Sequence, residues 1–376
     1  MEQPLDESWE LLLSLFPSGW AQQAVLLGAV ERLRGFASVR ELLRVLLLHV
    51  GKGYSLRETV VRAKQAGLAE VSDVTLLNRL RQAESWWRWL CLALLAESGW
   101  YLGADPHGWN VRAMDGTLVK EPGRTGSLWR IHYSMRIPSL ECDYLALLPV
   151  KGRGMGEKLE RFPAAPGDLV LADRGFCKPG GVRTLHRQGA SVIVRLNSKS
   201  LPLHKANGGA FPLLASVRGV KVAGVIREWK VWIQAEEEKI AGRLCVLRKS
   251  EQAAKTAQRK ILRKAQQGGP TPQAETLEYA NYVMVFTTLP RESFSAVEVL
   301  EWYRVRWQIE LMFKRMKSLA QLGHLPKHDD RSSRAWLYGK LLVVLLGQKL
   351  MRLGRDISPW GYAIAELQYG ERVAAV

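Results

Sequence analysis

Three acidic residues stand where a fold could bring their carboxylates together. Asp115 follows the apolar stretch Trp109 to Met114, Asp173 follows the apolar stretch Leu169 to Ala172, and a glycine comes within two residues of each. We interpret both aspartates as strand ends followed by turns. Glu310 lies on a predicted helix. Clustered carboxylates repel one another and a divalent cation relieves that repulsion, so the three acids are candidate metal ligands.

The predicted helix that carries Glu310 runs from about Ser295 to Leu319 and presents phosphate-binding groups beside it. Tyr303, Arg306, Glu310 and Lys317 follow one another at intervals of three, four and seven residues. At roughly 100° per residue they fall within an arc of about 60°. An alternative is a solvated charged face with incidental salt bridges. The far side carries an apolar stripe suited to packing on a sheet: Trp302, Val305, Ile309, Met312, Phe313, Met316 and Leu319.

Four further residues have two explanations each. Trp307 projects beside this face, where it could stack on DNA bases or pack against a neighbouring domain. His132 lies on a predicted strand near the candidate metal ligands, where it could belong to the site. A hydrogen-bonded core histidine is the more common explanation. Asp105 and Asp143 are alternative acids, but Asp105 precedes a proline, which is typical of a turn, and no predicted strand ends on Asp143.

The charge of the chain is positive and unevenly distributed. The net charge is +18, from 54 Lys and Arg against 36 Asp and Glu. Residues 1 to 100 hold 11 of each sign, whereas residues 178 to 270 hold 19 basic and 5 acidic residues. Such a surplus predicts a nucleic-acid partner, although an ordinary solvated basic surface is the alternative. A predicted helix over Glu251 to Gln267 carries a basic stripe that could follow a DNA backbone or simply face solvent: Lys255, Arg259, Lys260, Arg263 and Lys264.

Other features indicate a soluble, cytoplasmic protein. The longest apolar runs are too short for a membrane span, and the N-terminus is acidic and amphipathic rather than a secretory signal. The 4 cysteines include no C-x-x-C pair, so we expect neither a disulfide framework nor a structural zinc site.

Residues 109 to 196 show the pattern of an α/β domain. Three successive strands are predicted, and then strand, helix and strand follow one another. This is the order of a ribonuclease-H-like domain, in which a mixed sheet carries acidic residues. The predicted strands are Trp109 to Met114, Leu128 to Arg136, Tyr144 to Val150, Leu169 to Ala172 and Ser191 to Leu196, with helices over Gly156 to Phe162 and Pro179 to Gln188.

The flanking regions differ from this core. Residues 1 to 100 have helical periodicity, and capping patterns at Ser55 and at Ser72 or Asp73 predict two helices joined through Gly67. These helices resemble a helix-turn-helix, although a plain bundle gives the same pattern. Between 200 and 280 an inserted sheet is predicted, with strands over Val220 to Val225, Glu228 to Ile233 and Gly242 to Leu247, followed by Tyr282 to Thr288. The tail is helical, most strongly over Trp336 to Leu353.

The sequence resembles the DDE transposases of bacterial insertion sequences, in particular the IS-four group with its Tyr, Arg, Glu, Lys signature. Tyr303-x2-Arg306-x3-Glu310-x6-Lys317 reproduces the signature spacing, and the resemblance covers about 109 to 325. Asp115-Gly116-Thr117 and Ala172-Asp173-Arg174-Gly175-Phe176 resemble the two aspartate boxes.

The resemblance implies a function and a site. Asp115, Asp173 and Glu310 would be catalytic and would hold two Mg²⁺ or Mn²⁺ ions about 4 Å apart, as in two-metal phosphoryl transfer. Water would cut the phosphodiester at the element's end, and the freed 3′-hydroxyl would then attack target DNA. The signature's Tyr303, Arg306 and Lys317 would bind phosphates near the cut.

We therefore predict an α/β protein with a ribonuclease-H-like catalytic domain over 106 to 325, interrupted by a β-rich insertion at about 200 to 280. Residues 1 to 105 would form a helical domain that binds DNA ends, and residues 326 to 376 a helical tail. The expected partners are double-stranded DNA, both terminal inverted repeats and target, and a second copy of the chain, at the bacterial nucleoid. Two alternatives are a DNA-binding regulator without catalysis and a metal-dependent nuclease that does not join DNA.

Overall fold

The structure is a computed structural model that describes residues 5–97, 108–120, 128–150, 156–323, 325–326 and 329–355. The chain divides into two compact units. The sheet unit comprises Leu102–Leu118 and Leu128–Lys314, and the helical unit comprises Met1–Tyr101, Val119–Ser127 and Arg315–Val376. Asp105, one of the alternative acids, lies outside the described residues. The domain roles assigned to 1–105, 106–325 and 326–376 stay predictions.

One mixed sheet of eight strands forms the sheet unit, in the order β3-β2-β1-β4-β5-β8-β7-β6. Strand β4 pairs in parallel with β1 and with β5, whereas β2–β3, β5–β8, β7–β8 and β6–β7 are antiparallel. This arrangement confirms the predicted ribonuclease-H-like α/β core. The strands are β1 Asn110–Lys120, β2 Leu128–Arg136, β3 Cys142–Pro149, β4 Asp168–Ala172, β5 Ser191–Arg195, β6 Ile226–Ala235, β7 Glu238–Arg248 and β8 Tyr282–Thr287.

The helices of the sheet unit are placed by local signals as well as by packing. All five residues of β4 are buried, as expected of a central parallel strand covered on both faces. A proline begins the crossover helix α7, and a capping box of Ser295 and Glu298 begins α11. These helices are α7 Pro179–Arg187, α8 Leu213–Arg218, α9 Glu251–Gln266, α10 Ala274–Tyr279, α11 Ala296–Val305 and α12 Trp307–Ser318, the last of which extends past Lys314.

Asp115 does not end a strand, so that prediction was wrong. Strand β1 continues to Lys120, beyond its last residue paired with β4, because β2 remains its neighbour on the other side. The last pair of the β1–β4 ladder is Met114 with Ala172. Asp115 therefore comes directly after the last residue of β1 that pairs with β4, and Asp173 comes directly after the last residue of β4 that pairs with β1. The carboxylates come together, although the predicted turn at Asp115 is absent.

The single long helix predicted over Ser295 to Leu319 is interrupted at Arg306. The Arg306 N–H donates to the Tyr303 carbonyl at 3.3 Å, and the Ile309 N–H donates to the Arg306 carbonyl at 3.1 Å. These three-residue steps tighten the backbone between α11 and α12. Most of the apolar stripe of α12 is buried, but Leu319 lies beyond that helix and is 82% exposed.

Three further predictions need correction. Val220 to Val225 is a turn rather than a strand, and it contains Gly224 at φ +80°. The inserted strands also do not form a sheet of their own. Strands β6 and β7 form a hairpin that extends the main sheet beyond β8. The short helix predicted over Gly156 to Phe162 is reduced to a 3₁₀ turn at Leu159–Arg161.

The helical unit combines the N-terminal helices with the tail. Helix α13 packs on α3, α5 and α6, and Trp86 and Trp87 are buried core residues. Ser55 and Ser72 cap α4 and α5 as predicted. Within the described ranges, no helix combines the length and apolar character needed to cross a membrane. The helices are α1 Leu5–Ser14, α2 Trp20–Leu26, α3 Val39–Lys52, α4 Leu56–Gln65, α5 Asp73–Gln82, α6 Glu84–Glu97 and α13 Asp330–Arg355.

A buried ion cluster fixes the strands that carry the two aspartates. The Arg112 guanidinium on β1 lies 2.8 Å from the Asp168 carboxylate on β4 and 2.7 Å from the Asp143 carboxylate on β3. Asp168 also accepts from the side chain of Asn110 at 2.6 Å and from the N–H of Ala165 at 3.0 Å. Asp143, one of the alternative acids, is therefore a buried partner of Arg112.

We expect Arg112→Met to lower the free energy of unfolding by about 3–5 kcal/mol, because it leaves two carboxylates buried without their cation. Urea unfolding followed by circular dichroism measures the change. Arg218→Met is the matched control, since it breaks an exposed pair with Glu278 and should leave the unfolding midpoint nearly unchanged. Equal midpoints for the two variants would show that the buried cluster does not hold the strands.

Candidate functional site

Asp115 is the most enclosed of the three candidate acids. Its side chain is 17% exposed, and its Oδ1 accepts from the N–H of Gly116 at 2.7 Å. Burial raises the pKa of this carboxyl to about 7, and the nearby carboxylates of Asp173 and Glu157 add to the rise. The Gly116 N–H and Arg306 act in the opposite direction. Asp115 therefore stands in an environment that disfavours its charge unless a cation is close.

Tyr303 connects α11 to Asp173. Its hydroxyl donates to Asp173 Oδ1 at 3.3 Å, although the sequence analysis assigned that hydroxyl to a DNA phosphate. Burial raises the pKa of Tyr303 to about 12, so the hydroxyl keeps its proton and remains a donor at neutral pH. The contact holds the Asp173 side chain close to the helix that carries Arg306.

Arg306 lies among the acids. Its Nη2 donates to Glu310 Oε1 at 2.5 Å, and its Nη1 lies 3.9 Å from Asp115 Oδ2. The guanidinium carbon is 5.6 Å from the centre of the Tyr303 ring, a cation–π distance. Burial opposes the charge, but Tyr303, Glu310 and Asp173 outweigh it and hold the pKa of Arg306 above its usual value. Arg306 is 8% exposed, and its Nε and Nη1 have no hydrogen-bond acceptor among the described residues.

The structure thus brings Asp115, Asp173 and Glu310 around one cation and one hydroxyl. It does not bring them together as a ligand set, since the described residues contain no group of three acidic, histidine or cysteine side chains spaced to hold a metal ion. The donors themselves are suitable, because carboxylate oxygens are the ligands that Mg²⁺ and Mn²⁺ prefer. The Arg306 guanidinium lies between Asp115 and Glu310 instead.

Glu157 is a fourth carboxylate that the sequence analysis missed. It lies in the loop before the 3₁₀ turn, and a Cβ built on Gly175 would come within 1.8 Å of its Oε2. Gly175 follows Asp173 by two residues, so only the absence of a side chain there leaves room for Glu157. The sequence predicts a short helix over Gly156 to Phe162 but does not mark Glu157 as a site residue, whereas the Asp-Arg-Gly sequence could have suggested a close neighbour at the glycine.

His132 is a core residue, as expected, but it is not hydrogen-bonded. Its ring stacks on Phe162 with centroids 5.1 Å apart, and neither ring nitrogen has a partner among the described residues. Burial lowers the pKa of His132 to about 4, and Arg161 and Arg130 contribute to the decrease. A Cβ on Gly116 would come within 3.2 Å of this ring, so the neutral imidazole lies directly behind the residue that follows Asp115.

The remaining candidate residues lie on exposed surface. Trp307, which begins α12, is 50% exposed. Lys317 lies in the last turn of the same helix, within the helical unit. The basic stripe of α9 is exposed along its length, and Lys255 is paired with Glu251 at 2.6 Å. The DNA-binding roles of Tyr303, Arg306, Trp307, Lys317 and the stripe residues Lys255, Arg259, Lys260, Arg263 and Lys264 stay predictions.

A cationic cavity of about 1100 Å³ lies within the sheet unit, beside the end of β5. Its walls carry five basic side chains, none of which has an ion-pair partner among the described residues, and its floor is apolar. Lys249 donates to the Ala280 carbonyl at 2.8 Å, and burial followed by the charges of Arg195 and Lys260 lowers its pKa. Cations gathered this closely favour an anionic ligand. They are Arg174, Arg195, Lys199, Lys249 and Lys260.

Comparisons with known proteins identify similar transposases. Residues 152–346 match the family described as Transposase DDE domain. The transposase for insertion sequence element IS421 of Escherichia coli is 33% identical over 339 residues, which cover 88% of this chain and 90% of the relative. The InsL protein for insertion sequence element IS186A of Escherichia coli K12 is 33% identical over 338 residues, with the same coverage. A transposase for element IS231E of Bacillus thuringiensis is 22% identical over 200 residues, 50% of this chain and 42% of the relative.

We expect Tyr303→Phe to lower the free energy of unfolding by about 0.5–1.5 kcal/mol, because the half-buried Asp173 carboxylate loses a donor while the ring keeps its packing. Chemical unfolding measures the difference. Tyr279→Phe in the same unit is the control, since the Tyr279 hydroxyl makes no hydrogen bond to a described residue. A Tyr303 variant as stable as its control would mean that the hydroxyl does not hold Asp173.

Proposed function

Because the chain belongs to the family of DDE transposases, we propose that it cuts DNA at the ends of an insertion sequence and joins the freed ends to target DNA. The protein is a transposase, an enzyme that acts on DNA. One observation carries the mechanistic proposal: Asp115, Asp173 and Glu310, which are far apart in sequence, meet around Tyr303 and Arg306.

Dependence on a divalent metal is general to this family. We propose that Asp115, Asp173 and Glu310 hold two Mg²⁺ or Mn²⁺ ions. When bound, such ions supply positive charge to the attacking and leaving oxygens of a phosphodiester. Support comes from the chemistry of the donors, which are hard carboxylate oxygens, and from the enclosure of Asp115, whose buried charge is stabilised by a nearby cation.

The basic part of the signature would position the DNA end. Two buried donors of Arg306, Nε and Nη1, have no acceptor in the part of the chain that the structure describes, and a guanidinium binds two phosphate oxygens in a forked geometry. Lys317 would bind a neighbouring phosphate as a point charge. The Tyr303 hydroxyl, which donates to Asp173 in the absence of DNA, would turn to the phosphate held by Arg306. The chain contributes position and charge, with no covalent enzyme intermediate.

Other surfaces would extend the contact with DNA. The exposed indole of Trp307 would stack on a base next to the cut, and the α9 stripe would follow the backbone. We propose that residues 1–105 bind the terminal inverted repeats, and that two copies of the chain pair two ends, since transposition joins both ends of one element. Such a substrate places the protein at the bacterial nucleoid.

An incubation of the purified chain with Mg²⁺ and DNA that carries the element's end tests the proposal against its two alternatives. Binding without cleavage would identify a regulator that has lost catalysis. Cleavage without joining would identify a nuclease. Cleavage followed by transfer of the 3′-end into a second DNA is the expected result. Gel analysis of DNA labelled at the 5′-end of the strand whose 3′-hydroxyl is freed separates the three outcomes.

We expect Asp115→Asn, Asp173→Asn and Glu310→Gln each to reduce cleavage by about a thousandfold or more, with affinity for end DNA within about threefold of the wild type. Each substitution keeps the size of the side chain and removes its charge. Glu301→Gln is the matched control, because Glu301 is an exposed carboxylate on α11. Substantial cleavage by one of the three variants would remove that acid from the site.

Lys317→Ala and Trp307→Ala should affect DNA differently. Loss of one phosphate contact weakens end binding and reduces the slope of log affinity against log salt by about 0.9, so Lys317→Ala should flatten the salt dependence. Trp307→Ala should slow end processing without this change in slope, since stacking releases no counterion. Affinity measured at four salt concentrations, together with single-turnover cleavage, separates the two effects. An unchanged slope for Lys317→Ala would contradict its phosphate role.

A further inference from the structure

The cation at the centre of the acidic site is part of the protein. Arg306 donates to Glu310 at 2.5 Å and lies 3.9 Å from Asp115, the two carboxylates that the proposed function assigns to a divalent metal. Its side chain is 9% exposed, whereas that of Glu310 is 52% exposed. A guanidinium therefore supplies, from inside the chain, the positive charge that these acids need.

In this position Arg306 balances the charge of the acids, but not all of its own hydrogen-bond donors have an acceptor among the described residues. Nε and Nη1 of Arg306 are buried and have no hydrogen-bond acceptor among the described residues. A buried donor without an acceptor is unfavourable, and donors with no acceptor inside the protein indicate an acceptor from outside it. The forked guanidinium matches phosphate oxygens, which the DNA end supplies.

A divalent ion and the guanidinium cannot share this position. Both are cations attracted to the carboxylates of Asp115 and Glu310, and Arg306 already occupies Glu310 Oε1 and lies near Asp115 Oδ2. An ion bound to Glu310 would have to displace the Arg306 hydrogen bond, and the two cations would repel each other at close range. Arg306 lies at the junction of α11 and α12. The regular hydrogen bonding of the helix is already interrupted at this residue.

We infer that Arg306 is a built-in counter-cation that keeps divalent metal out of the site until a DNA phosphate takes the guanidinium away. DNA binding then opens the acids to metal, and the chain holds metal weakly when no DNA is bound. The inference rests on the proposed metal-binding role of Asp115 and Glu310, and it adds that the metal and Arg306 exclude each other.

Mn²⁺ binding in the absence of DNA tests the exclusion. The free Mn²⁺ signal in electron paramagnetic resonance gives the dissociation constant for the wild type, for Arg306→Gln and for Arg304→Gln, the last being a matched control that removes an exposed charge from the same helix. We expect Arg306→Gln to bind Mn²⁺ at least about tenfold more tightly than the wild type, and Arg304→Gln to stay within about twofold of it. Asp115→Asn added to Arg306→Gln should abolish the gain.

Each other outcome has a definite meaning. Equal affinity in the wild type and Arg306→Gln, with binding that Asp115→Asn abolishes, would overturn the exclusion while leaving the metal site in place. An equal gain in Arg304→Gln would reduce the effect to net charge and also overturn it. Absence of Mn²⁺ binding at Asp115 in every sample, and in the wild-type complex with DNA, would remove the metal site itself.

A measurement on the wild-type chain covers the case in which Arg306→Gln does not fold. Crystals soaked in Mn²⁺, grown with and without an end DNA, reveal the ion by anomalous scattering. We expect an ion at Asp115 and Glu310 only with DNA, and the Arg306 guanidinium on a phosphate in that complex. An ion between the two acids while Arg306 still donates to Glu310 would contradict the inference.

Discussion

The parallel pairing of β1 with β4 is the constraint on which the site depends. The ladder ends with Met114 opposite Ala172, and the next residue on each strand is an aspartate. Because neighbouring parallel strands advance in the same direction, two acids that follow the same ladder position must lie close together. The Arg112 cluster reinforces this register, since one buried guanidinium contacts carboxylates on β3 and β4 from its place on β1.

Close carboxylates require positive charge, and the sheet unit supplies it in two ways. Arg112 is enclosed with Asp143 and Asp168, and together with the donors around Asp168 it forms a structural cluster. Arg306 is enclosed as well, but its partner Glu310 is half exposed, and the described residues give two of its nitrogens no hydrogen-bond acceptor. An arginine whose acidic partners are fully buried, such as Arg112, is thus structural. An arginine with one acidic partner that faces solvent, such as Arg306, can exchange that partner for another.

The sequence predicted the site better than it predicted the surrounding structure, and the reasons are physical. Spacings of three and four residues place Tyr303, Arg306 and Glu310 on one side of a helix. This survives the interruption at Arg306 because a three-residue step turns the backbone only slightly more than a helical one. Asp115 was placed correctly beside Asp173 for a partly incorrect reason: Asp-Gly is typical of a turn, but pairing with β2 keeps β1 extended through it. At Asp115 the pairing of β1 with β2 outweighs the local preference of Asp-Gly for a turn.

Contacts over long sequence distances were the part that local patterns could not supply. Glu157 meets the site through the gap at Gly175, and the hydroxyl of Tyr303 is directed to Asp173 by packing across 130 residues of sequence. The hairpin of β6 and β7 was predicted as strands, but its partner, β8, follows only after α9 and α10, so the alternating pattern could not show that it extends the main sheet. Periodicity describes which face of an element is apolar, whereas partner choice depends on the whole chain.

Positive charge is distributed unevenly along the chain. The surplus of 19 basic over 5 acidic residues between 178 and 270 falls in the sheet unit, where cations without ion-pair partners among the described residues line the cavity beside β5, whereas residues 1 to 100 are neutral. We therefore expect most of the attraction to DNA without regard to sequence to originate in the unit that contains the acids. Because that attraction brings phosphates to the acidic site, a cation among the acids has a second function: it lowers the repulsion that Asp115, Asp173, Glu157 and Glu310 would otherwise exert on an approaching strand. The positive exterior and the internal guanidinium are two parts of one electrostatic arrangement, in which a polyanion can approach a cluster of carboxylates.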